Sequence, residues 1–109
     1  MKGHKYRITV DYVEDVRGNP IEDQTLTFMA ANHDEILKIV ERIRQSEQFD
    51  AEEAVSFAIG LKLFSEVMIK NRDHVLFTEF RPHFMDFMKH LKATVSASQT
   101  AESAQSATV

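Results

Sequence analysis

KYRITVDYV, residues 5–13, alternates strictly: Tyr6, Ile8, Val10 and Tyr12 point one way, Arg7, Thr9 and Asp11 the other. Period two with β-branched and aromatic residues is the signature of a half-buried strand. The turn DVRGNP (15–20) follows. Gly18 permits positive φ, Pro20 fixes its own φ, and the proline pushes Asn19 extended. Gln24 to Ala31 alternates again, with Leu26, Phe28 and Ala30 on one face. The two segments therefore pair as an antiparallel β-hairpin with Tyr6, Ile8, Val10, Tyr12, Leu26 and Phe28 on its inner face. A two-stranded sheet is marginal alone, so helices are expected to cover that face.

Helical spacing takes over after Ala31. NHDE (32–35) reads as a helix start, with Asn32 as the cap and Glu35 as the capping-box acid. Ile36, Ile39, Val40 and Ile43 then form one apolar stripe that ends near Ser46. DAEE (50–53) repeats the start signal, and a second helix is predicted to about Asn71. Its main stripe is Ala54, Phe57, Leu61, Phe64 and Met68. Val55, Ile59 and Leu63 form another stripe on the opposite side, between Lys62, Glu66 and Lys70. A helix with two apolar sides is sandwiched or has a second partner. Gly60 costs about 1 kcal/mol relative to Ala in mid-helix, and leaves room for another backbone. Asp73 caps a short turn through Phe80, Pro82 opens a last helix carrying Phe84, Phe87, Met88 and Leu91, and Ser, Ala, Thr and Gln dominate beyond Ala93. The fold class is α+β in the order β-β-α-α-α-α, one domain over 1–92 with a disordered tail over 93–109.

Composition narrows the functional classes. The chain has 109 residues, a net charge of −4 and no cysteine. Disulfides, thiolate metal sites and cysteine nucleophiles are excluded, which fits a cytoplasmic protein. The N-terminal run lacks a signal-peptide core, and no stretch approaches the ~18 apolar residues of a membrane span. Lys2, Lys5 and Arg7 are too few for a phosphate-tracking surface, so no nucleic-acid or membrane partner is expected.

Several segments together resemble a known family: MKGHKYRITV (1–10), GNP (18–20), NHD (32–34), GLKLFSEVM (60–68) and PHF (82–84). They are similar to a family of small bacterial proteins catalogued only as a domain of unknown function. The resemblance spans residues 1 to about 92 and implies a bacterial cytosolic protein. It implies no catalytic residue.

Three constellations carry chemistry. His83, Asp86 and His90 fall on one side of the last helix, and two imidazoles with a carboxylate are Zn or Fe ligand types. However, His83 and His90 lie about 10 Å apart along the axis, too far for one ion, and nothing places His33 or His74 beside them. Phe57, Phe64, Met68, Phe77, Phe80, Phe84, Phe87 and Met88 are a packed core by their spacing, or else the lining of an apolar-ligand pocket. Ser56 and Ser65 lack a nucleophile elbow, and the three glycines make no phosphate loop. Glu52, Glu53 and Glu66 serve capping and helix-face pairing, Glu66 with Lys70. Enzymatic activity is unsupported and no cofactor is implied. The expected function is a homodimeric interaction or regulatory module, open to a further protein partner, with Val55, Ile59 and Leu63 at its interface. The alternative is a protein that binds a metal through His83, Asp86 and His90, or a small apolar ligand in the Phe/Met-rich region.

Overall fold

Alternation becomes pleat between His4 and Asp11 (β1) and between Thr25 and Asn32 (β2), paired antiparallel. A computed structural model of the protein describes residues 3–97. Tyr6 stands opposite Ala30, Ile8 opposite Phe28 and Val10 opposite Leu26, so the apolar side chains share one face as the period predicts. Tyr6 and Ile8 are half-buried on that face, but Val10 and Leu26 are 55% and 62% exposed. The connection is tied by Asp15, whose carboxylate accepts from the backbone N–H groups of Arg17 and Asn19 at 2.9 Å each. Gly18 takes φ +87°, the conformation for which its glycine was read. Gly3 answers a different need: a Cβ there would lie 2.7 Å from the Asn32 carbonyl oxygen.

The helices follow as α1 (Ile36–Gln45), α2 (Ala51–Lys70), α3 (Val75–Thr78) and α4 (Arg81–Ala97), giving the α+β order β-β-α-α-α-α. The described residues fall into two compact units, the hairpin unit up to His33 and the helical unit from Asp34. In the helical unit α1 packs on α2, with Ile36, Ile39, Val40 and Ile43 all buried. Asp50 caps α2 as predicted, accepting from the Glu53 N–H at 2.8 Å.

Four expectations are corrected. Asn32 is the buried last residue of β2, and Glu35 caps α1, its carboxylate accepting from the Leu37 and Lys38 N–H groups. Four consecutive polar residues offered several caps, and the strand claimed the first. His74 rather than Asp73 caps α3, its Nδ1 accepting from the Leu76 N–H at 3.1 Å. Glu66, assigned to a helix-face pair with Lys70, is buried at 5% exposure, and Lys62 beside it at 6%. Finally, α4 runs through Ala97, past the Ala93 boundary, because Val95 is fully buried. The remainder of the expected tail, 98–109, lies outside the described residues.

Candidate functional site

The site is built on α2, whose surface has three sides. The buried line is Ala54, Ala58, Lys62 and Ser65, with Met68 near its end. Small residues let α1 approach closely along this line, and Lys62 reaches Asp34 at 2.8 Å. On one flank stand Phe57, Leu61 and Phe64; on the other, Val55, Ile59 and Leu63 are half-buried. Of the main stripe predicted for α2, Ala54 and Met68 are buried as expected, whereas Phe57, Leu61 and Phe64 flank a buried line continued by Ala58, Lys62 and Ser65.

Phenylalanines bridge α2 to α4. Phe64 meets Phe84 at a ring-centroid distance of 6.2 Å and Phe80 and Phe77 at 6.0 Å each. Phe57 meets Phe87 at 6.3 Å and Phe49 at 5.1 Å. Most of these rings meet edge-on or tilted, the arrangement their quadrupoles favour. Because large rings hold the two helices apart, an open groove of about 540 Å³ remains between them. Phe84 is buried, but Phe64, Phe80 and Phe87 are 41–45% exposed. These residues are therefore wall as much as core. A second cavity of about 290 Å³ adjoins Phe57 and Phe87 and is lined also by Phe49, Leu91 and Val95.

The polar groups of the larger groove are Ser56 from α2 and His83 from α4. No hydrogen bond joins them, so the pairing that activates a serine nucleophile is not formed. A groove of this composition can hold apolar groups and offer a hydroxyl and an imidazole at its edge.

His83, Asp86 and His90 are all exposed on α4. His83 lines the larger groove and His90 the smaller cavity; Asp86 lines neither. Among the described residues, no three His, Asp or Glu side chains come together in a group able to hold a metal ion. His33 is exposed in the hairpin unit and His74 serves as the α3 cap. Sequence reasoning missed Phe49 and Lys62. Phe49 had a usable signal, since an apolar residue just before an N-cap often packs on the helix it precedes. Lys62 had none.

A family model described as a domain of unknown function with a solved structure, DUF3861, matches residues 4–93. The chain belongs to this family. The crystal structure of a protein of unknown function from Pectobacterium atrosepticum SCRI1043 is similar, at 37% identity and a TM-score of 0.72. That similarity covers 84% of this chain and 99% of the Pectobacterium chain. No curated protein matches. The DUF3861 match thus takes in both strands and every helix up to the last turn of α4, the turn that holds Val95. No described helix of this DUF3861 chain is long and apolar enough to cross a membrane.

Proposed function

We propose that this protein is a non-enzymatic interaction module that works as a homodimer through α2. The observation that carries this reading is the groove, where Phe64, Phe80 and Phe87 stay 41–45% exposed around an opening of about 540 Å³. Contiguous exposed apolar surface of this kind marks an interaction site, and aromatic residues are enriched at interface centres. Val55, Ile59 and Leu63 flank the same helix half-buried and add to what a partner would cover. The hairpin unit points the same way. Its two strands have no further neighbours among the described residues, and Val10 and Leu26 stand open on its apolar face. The occupant is a second copy, because closed two-fold pairs are the commonest oligomers and need one self-complementary surface.

Sedimentation analysis of the full chain tests this directly, with a dimer expected at micromolar concentration. The groove's volume also suits a small apolar ligand. Native mass spectrometry separates the two: a monomer that carries a bound small molecule would replace the dimer reading.

A further inference from the structure

Gly60 sits in the middle of α2, exposed, on the lining of the aromatic groove. A Cβ built on it meets no atom within 4 Å. The chain's own packing therefore does not require glycine there, although glycine costs a helix about 1 kcal/mol relative to alanine. What a bare Cα provides is close approach from outside the chain. Seven residues to either side, Glu53 and Val67 lie on the same face, so the surface around Gly60 runs along the helix as a band.

The charges on α2 select an orientation. Glu52 lies in its first turn and Lys70 in its last, and neither has an ion-pair partner among the described residues. They are eighteen residues apart, about five full turns, and so occupy the same side of the helix. We infer that two copies cross at Gly60 with their α2 helices antiparallel, Phe64 of each entering the other's aromatic groove beside Phe57. In that arrangement Glu52 of one copy stands opposite Lys70 of the other, with axial offsets from Gly60 that differ by about 3 Å. A parallel pairing would leave Glu52 of one copy and Lys70 of the other about 27 Å apart along the axis and align the helix dipoles unfavourably. Leu63 of each copy covers Ser56 of the other. This seam rests on the homodimer reading above and gives it a location.

The absence of cysteine makes the test clean. Gly60→Cys in the full chain should form a disulfide-linked dimer on mild oxidation, because a crossing on glycine brings the two positions within bonding range. Val75→Cys on α3, also exposed, should not. Gly60→Leu should abolish the dimer while helix content and melting temperature of the monomer are retained, since a Cβ at this position has open space in its own chain. Glu52→Lys should weaken association roughly tenfold through like charges, and adding Lys70→Glu should restore it. A dimer that persists in Gly60→Leu, or whose Gly60→Cys variant fails to cross-link, would overturn this seam while leaving the homodimer reading intact. A monomeric wild type would overturn both.

Discussion

Lys62 Nζ stands 2.8 Å from Asp34 Oδ2, and both side chains are largely withdrawn from water. The pair ties the approach to α1 onto the middle of α2, across the line where small residues let the two helices meet. Breaking a buried pair leaves a charge without its partner, at a cost of about 3–5 kcal/mol, whereas replacing both members by apolar groups is often neutral. Lys62→Ala should therefore lower stability by about that amount in urea denaturation, and Lys62→Met with Asp34→Leu should recover most of it. Equal losses in the single and double variants would show that the pair contributes little.

The aromatic residues should divide into two classes. Phe84 is buried, so Phe84→Ala should cost about 3–5 kcal/mol. Phe80→Ala removes a ring that is 41% exposed and should cost the monomer clearly less. Thermal melts of the two variants at low protein concentration provide the comparison.

How much of this was legible beforehand depended on what each element buries. The face of α1, with Ile36, Ile39, Val40 and Ile43, was plain because large aliphatic residues repeat at helical spacing. The buried line of α2 was legible only at Ala54 and Met68; Ala58, Lys62 and Ser65 were missed, because small or charged residues announce burial only through partners distant in the chain. Phenylalanine spacing located the groove but left core and pocket lining both open, with core preferred: hydrophobicity says that a ring gains from leaving water, not which surface covers it. Which hairpin side chains share a face followed from period two, since a one-residue slip would turn every apolar side chain over, but the pairing of Tyr6 with Ala30 did not.

The end of α4 yields a third expectation. Val95 is fully buried in a stretch that otherwise reads as Ser, Ala and Thr. Val95→Asp should destabilise the fold strongly, since it puts a carboxylate where the native side chain is fully buried. Removing residues 98–109 should leave the melting temperature within a few degrees of wild type, as expected from a sequence without apolar periodicity. A large drop on that deletion would show that the tail packs.

Asp15 gives a pH signature. Its carboxyl is held below the usual carboxylate range, chiefly by the backbone N–H of Asn19, with the Arg17 N–H and the Asn19 side chain adding to it. A depressed folded-state value means that the contribution to stability is present above the unfolded value of 3.8 and is lost as pH falls through the lower folded one. In an NMR titration the Arg17 and Asn19 amide signals should move together with the Asp15 carboxyl, at a midpoint below that of a free aspartate. A midpoint at the ordinary value would mean that the turn does not hold in solution.

Homodimerisation through α2 is the central expectation for this protein. Sedimentation equilibrium of the full chain at micromolar concentration measures it most directly. A mass twice the 12.5 kDa of the chain, falling to a single chain in Gly60→Leu, is the result predicted. A wild-type chain that sediments as a 12.5 kDa monomer across that range would contradict it.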